Sequence, residues 1–243
     1  MKLRAVSTLS GRVLALTAAL ALVVGVSLNA QTDAPPVLEP AQLDNLVSRI
    51  ALYPDPLLAQ VLAVATFPDQ VPQAAAFADD HRGMTGDALA NAIAQANLPF
   101  DPSVQALIPF PTVLDMMAQD PNWTGTLGNA VLAQRPDVMD AVQRMRFQAQ
   151  RFGYLQSTAQ ARVVVEPRYI EIVPVNPAYI YVPVYNPLVV FVAPRPGFFI
   201  GGAIRFSSGF YIGPAFHVWG WGADSIGTRI AWSSTMPFGA ARG

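Results

Sequence analysis

The sequence has no cysteine, one lysine (Lys2) and two histidines, His81 and His217. Without cysteine there are no disulfides, thiolate metal sites, cysteine nucleophiles or thioether-linked lipids. Two histidines are too few for a His-rich metal site or a multi-His relay, so neither a metal nor a cofactor is implied. Charged residues make up only 13% of the chain. No Gly-x-Ser-x-Gly elbow occurs, and no glycine-rich loop carries a lysine for phosphate. These absences remove the commonest signatures of hydrolase, nucleotide and metal chemistry.

What is abundant is apolar and conformationally restricted. The hydrophobic fraction is 52% and there are 22 prolines. The first supplies ample core material and excludes a wholly disordered, solvated chain. The second argues against long uninterrupted helices and for short elements joined by fixed turns.

The N-terminus reads as an export signal. Lys2, Arg4 and Arg12 form a basic flank, Val13 to Leu28 is an apolar run, and Ala30 precedes the polar Gln31-Thr32-Asp33. That order matches a secretory signal peptide over residues 1–30, cleaved after Ala30. The run is short for a membrane span; the alternative is an inner-membrane anchor over residues 13–28. Cleavage at Ala30 leaves 12 arginines against 16 acids, a net charge of −4. Such a balance is no footprint for nucleic acid. The expected location is periplasmic or secreted.

After a spacer at 31–40, residues 41–155 carry helical periodicity. Leu43, Leu46, Val47, Ile50 and Ala51 define one apolar face, which Pro54 stops at about Tyr53. Asp55-Pro56 restarts the chain, with Asp55 in the position of an N-cap and Pro56 suited to the first turn. Leu57, Leu58, Val61, Leu62 and Val64 then cover most of a helix circumference, which places that helix centrally. Asp101-Pro102 and Phe110-Pro111 repeat the punctuation of Asp55-Pro56 and Phe67-Pro68, and Asp101 is the matching cap. Asp120-Pro121 and Pro136-Asp137 punctuate two further helices, the last ending at Gly153. About seven short helices result.

From Gln156 the period becomes two. Residues 156–192 read as a Pro-rich β unit in which Ile170–Pro174 and Tyr179–Tyr185 form a hairpin, joined by a type I turn at Asn176-Pro177. Asn186-Pro187 turns into a further strand at Leu188–Val192. Residues 193–243 form a Gly/aromatic-rich tail that either adds marginal strands or remains unstructured. The fold class is α+β.

Longer motifs carry a family resemblance. Ile50-Ala-Leu-Tyr-Pro-Asp-Pro-Leu-Leu-Ala-Gln-Val-Leu62, Leu98-Pro-Phe-Asp-Pro-Ser-Val-Gln-Ala-Leu107, Asp120-Pro-Asn-Trp-Thr124, Gln134-Arg-Pro-Asp-Val-Met-Asp-Ala-Val-Gln143 and Tyr181-Val-Pro-Val-Tyr-Asn-Pro187 together resemble DUF3300, a family of bacterial exported proteins of unknown function. The resemblance spans about residues 42–190 and implies an export signal and a Gly/aromatic tail. It implies no reaction, ligand or catalytic residue.

Three sets of residues carry the functional expectations. By strand parity Tyr179, Tyr181 and Tyr185 share one face, with Tyr169 nearby, and an aromatic row at strand spacing can stack on a sugar or an extended peptide. Its rival is ordinary packing against the helices. Trp219 and Trp221 in the tail suit a membrane interface or a partner protein. Asp79, Asp80 and His81 are the acid–base candidates, although a solvated helix end before Gly83 accounts for them. The leading expectation is a non-enzymatic envelope protein that binds an envelope protein or a cell-wall polymer. The alternatives are an envelope polymer-modifying hydrolase using Asp79, Asp80 and His81, and a membrane-anchored scaffold.

Overall fold

The structure is a computed structural model that describes residues 37–194 and 202–212. Seven helices come first: α1 (Pro40–Val47), α2 (Asp55–Val64), α3 (Val71–Asp80), α4 (Gly86–Ala96), α5 (Pro102–Leu107), α6 (Pro111–Gln119) and α7 (Pro121–Arg151), with a 3₁₀ turn at Pro68–Gln70. The β unit contains β1 (Ala161–Val165), β2 (Ile170–Pro174), β3 (Tyr179–Ile180) and β4 (Pro183–Tyr185), the short helix α8 (Pro187–Val190), then β5 (Ile204–Phe206) and β6 (Phe210–Tyr211). Helices followed by small antiparallel ladders make the class α+β. Among the described residues no helix is long and apolar enough to cross a membrane; residues 13–28 lie outside them.

Proline sets the helix boundaries. Six of the seven helices carry proline in the first turn, where the missing N–H costs nothing. Phe67 and Phe110, each before such a proline, adopt nearly the same backbone conformation (φ −123°, ψ 54° and φ −116°, ψ 65°). The repeated Phe-Pro punctuation is therefore also a repeated geometry. α7 has 31 residues, but Gln134 breaks it with φ −144° and ψ 46°, two residues before Pro136. It is two helices meeting at a kink, as the punctuation implies. Gly153, at φ 80°, closes the second of them, while Tyr154 N–H reaches back to the Ala149 carbonyl.

The core is continuous from α1 to the strands. α2 is its centre, with Leu57, Leu58, Val61 and Val64 fully buried. α7 crosses α2 closely at Gly128, where a Cβ would stand 1.9 Å from the Ala65 carbonyl oxygen. α1 lies along α7 and is tied to it by the ion pair of Arg144 with Asp44. At the start of α1, the Gln134 side chain holds the Leu38 backbone on both sides: its Oε1 accepts from the Leu38 N–H (2.6 Å) and its Nε2 donates to the Leu38 carbonyl (3.0 Å).

The first helix is shorter than its periodicity predicts. Regular α1 ends at Val47, and Ser48 to Tyr53 form a tight irregular corner. Side chains elsewhere in the molecule capture the carbonyls that helix continuation would need. Trp123 Nε1 takes that of Leu46, Tyr185 Oη that of Ser48, and Arg146 those of Ala51 and Tyr53.

Arg146 is fully buried. Its Nε donates to the Ala51 carbonyl (2.8 Å), its Nη2 to that of Tyr53 (3.0 Å) and its Nη1 to that of Ile170 (2.7 Å), and Nη1 also pairs with Asp55 Oδ1 at 2.6 Å. Gln143, one turn earlier, grips the same strand residue, accepting from Ile170 N–H and donating to its carbonyl. The expected capping role of Asp55 does not hold: Pro54 is the N-cap of α2, and no side chain caps that end. The carboxylate turns inward to neutralise Arg146 and to accept from Ile172 N–H. Burial pushes the Asp55 carboxyl upward and the Arg146 guanidinium pulls it back.

A buried cation stripped of its partners is costly, and so are the partners left behind. Arg146→Met is expected to destabilise the fold by about 3–5 kcal/mol. A denaturant titration followed by far-UV circular dichroism measures this; a loss under about 1 kcal/mol would show that the network carries little.

Candidate functional site

The strands do not pair as alternation alone suggests. β1 pairs with β2, in register Val163 opposite Ile172, so the hairpin is 161–174. β3 and β4 pair instead with β6 and β5, Ile180 opposite Phe210 and Val184 opposite Arg205. The first part of the Gly/aromatic tail thus belongs to the β unit as marginal strands. The Asn176-Pro177 turn forms as expected, with Tyr179 N–H bonded to the Asn176 carbonyl. The expected strand at Leu188–Val192 is replaced by α8, whose start is capped by Asn186 Oδ1 accepting from Leu188 N–H.

These pairings separate the tyrosines expected on one face. Burial alternates to Val182 and then slips phase, because Val182 and Pro183 are both buried. Tyr179 packs against its cross-strand neighbour Tyr211 in a tilted arrangement, ring centres 5.3 Å apart. Tyr181 covers Gly209, where a Cβ would come within 2.7 Å of its ring. Tyr185 points into the helical corner: its hydroxyl donates to the Ser48 carbonyl (2.9 Å) and accepts from Leu52 N–H (3.3 Å). Tyr169 is half-buried beside β2. Tyr185 is thus spent on the fold, and the four residues form no row.

The remaining expected residues divide. Asp101 caps α5, its Oδ1 accepting from the Ser103 N–H and hydroxyl. Asp79 and Asp80 are exposed at the end of α3. Asp79 is bonded to Arg82, which also reaches Asp115. His81 Nδ1 sits 2.8 Å from the Phe77 carbonyl, with its ring stacked on Phe77. No group of three or more His, Cys, Asp or Glu able to hold a metal occurs among the described residues. Trp219 and Trp221 lie outside the described residues.

The strand arrangement creates a half-open cleft of about 570 Å³ that the sequence did not disclose. One wall is the helix exit, Gly153 to Thr158. The second is the inner face of β1–β2, with Ala161, Val163 and Ile172. The third is β4–β5, with Pro183, Ile204 and Phe206. Leu52 of the helical corner closes the base. Its polar side chains are committed locally: Ser157 Oγ accepts from Val163 N–H, Thr158 Oγ1 accepts from Ala161 N–H, and Gln156 donates to the Gly153 carbonyl. What faces the opening is mainly apolar, a surface suited to holding aliphatic or aromatic groups. It was hidden from sequence reading because its third wall comes from residues 202–206, whose strand pairing alternation does not reveal.

Two tyrosines, Tyr53 of the helical corner and Tyr185 of β4, give the fold a pH signature. Burial holds the phenols of Tyr53 and Tyr185 well above the ordinary tyrosine range. The folded state therefore keeps protons that the unfolded chain releases. Stability from these groups is intact below about pH 10, the unfolded value, and is lost as pH climbs above it toward the raised folded-state values. Alkaline titration should show a phenolate absorbance component that appears only together with loss of helical circular dichroism, smaller in Tyr53→Phe. Full ionisation of all seven tyrosines with the helices intact would contradict this.

Comparison with known proteins agrees with the motif reading. The family model described as "Protein of unknown function (DUF3300)" matches residues 39–234. The protein named "Uncharacterized protein YacH" of Escherichia coli (strain K12) is 41% identical over 147 residues, which cover 57% of this chain and 24% of that protein. The chain thus matches about a quarter of that relative's length. No solved structure matches it. With most of its length matched by the family model, and with the Asp-Pro and Asn-Pro motifs seated as helix starts and turns, the chain belongs to the DUF3300 family.

Proposed function

We propose that the protein is an exported, non-enzymatic binding module of the cell envelope that holds an apolar portion of its partner in the cleft between the helix exit and β4–β5. The observation that carries this reading is the cleft itself: half-open, walled by Val163, Ile172, Ile204 and Phe206, with its side-chain hydroxyls already occupied. Such a surface favours binding through apolar contact over bond-making chemistry. Export is supported by the basic flank, apolar run and Ala30 of residues 1–30.

Two measurements test the two halves of the proposal. Mass spectrometry of protein recovered from cells should find a mature chain starting at Gln31; an intact N-terminus would favour an anchor over residues 13–28. A photocrosslinking amino acid at Ala203, in the cleft wall, should form an adduct with an envelope component, and the same group at the exposed Asp87 on α4 should not. Absence of any adduct from position 203, or equal adducts from both positions, would refute cleft binding.

A further inference from the structure

Every strand edge presents backbone donors and acceptors that must go somewhere, and their destinations differ along this β unit. In antiparallel pairs, opposed residues alternate between bonded and unbonded. Val175 N–H donates to the Gln160 carbonyl and Glu166 N–H to that of Tyr169, so Ile170 and Ile172 of β2, and Ala161 and Val163 of β1, turn their backbone groups outward. These outward groups are largely engaged, and Val165 at the end of β1 leaves a single donor and acceptor on that edge. Gln143, Arg146 and Asp55 engage β2. Thr158 and Ser157 engage β1, through Ala161 and Val163.

The β4–β5 ladder differs. Ser207 N–H donates to the Val182 carbonyl, which makes Val184 and Arg205 a bonded pair. The N–H and C=O groups of Ile204 and Phe206 therefore point away from β4. No described residue engages them. On the far side of the same ladder, β4 presents Pro183, which has no N–H to offer. Among the described residues β5 is thus the edge that offers two donors and two acceptors spaced two residues apart. The side chains of Ile204 and Phe206 line the cleft. Arg205, between them, lies on the opposite face by strand alternation and is exposed, without a carboxylate partner among the described residues.

We propose that β5 accepts an additional strand: an extended peptide segment that alternates apolar and acidic residues. Its backbone bonds to Ile204 and Phe206, its apolar side chains enter the cleft, and an acidic side chain on the other face meets Arg205. The alternation is dictated by the edge, since the apolar wall and the exposed Arg205 fall on opposite faces of one strand. This rests on the reading of the cleft as the binding site and names the partner's chemistry.

The test uses the full chain and a synthetic, end-blocked peptide of sequence Thr-Val-Glu-Val-Glu-Val-Thr, titrated by calorimetry. Two further peptides carry N-methyl groups on the three valines or on the two glutamates. In an extended strand these two sets of N–H groups point to opposite edges. Strand addition therefore predicts that one methylated peptide loses affinity by about tenfold or more while the other binds nearly as the parent does. Arg205→Glu should weaken the parent peptide about two- to fivefold and favour a lysine-for-glutamate version by a similar factor. Failure of the parent peptide to bind, or equal behaviour of the two methylated peptides, would overturn strand addition. If crosslinks still form from position 203 in that case, the cleft reading stands and only the strand is lost. If position 203 forms no adduct, the cleft reading itself falls.

Discussion

The rest of the structure is arranged around the burial of one guanidinium. Taking an arginine out of water costs several kcal/mol unless its planar set of donors is met by well-placed acceptors. Arg146 is satisfied by one carboxylate and three main-chain carbonyls that come from the 51–55 corner and from β2. Those segments cannot be placed independently. The corner must leave regular helix so that the Ala51 and Tyr53 carbonyls can turn inward. β2 must lie where Ile170 reaches both Gln143 and Arg146. The β unit is docked by directional bonds as much as by apolar contact. A lysine, with a compact ammonium in place of a fork, could not meet acceptors spread over three segments.

The local grammar was readable. Proline at helix starts, Asp101 as a cap, the helix start at Asp120-Pro121, the break near Pro136 and Gly153 at the end of α7 are decided within a few residues, and local chemistry is what a sequence displays. Arg146 was a harder case, yet a trace existed. It falls four residues after Val142 and three before Ala149, so it stands on the same apolar stripe of α7. A charged residue on a buried face announces a buried partner, although the partner, Asp55, also had the sequence appearance of a helix cap.

The strands show where reading along the chain stops. Asn176 and Asn186 make the same local bond, each accepting from the N–H two residues on. One opens a turn and the other a helix, so the shared bond does not decide between them. Parity also failed between Ile180 and Pro183, where the chain leaves β6 and takes up β5. Ladders of two or three residues, closed across roughly twenty to thirty intervening positions, hold little local information. Their pairing depends on which apolar faces the helical layer leaves uncovered. The prolines fit this account: Pro174 ends one ladder and Pro183 begins another, at positions where no N–H is required.

The amide of Gln134 at the α7 kink has a consequence for force. Leu38 is clamped through both its N–H and its carbonyl, while Val37 just before it is 73% exposed. Tension applied to the chain ahead of Val37 reaches this clamp first, and α1 with its Arg144–Asp44 tie next. The two bonds share one side chain, so they yield together rather than in succession. Pulling from that side would therefore load the Gln134–Leu38 bonds before it loads the Arg146 network.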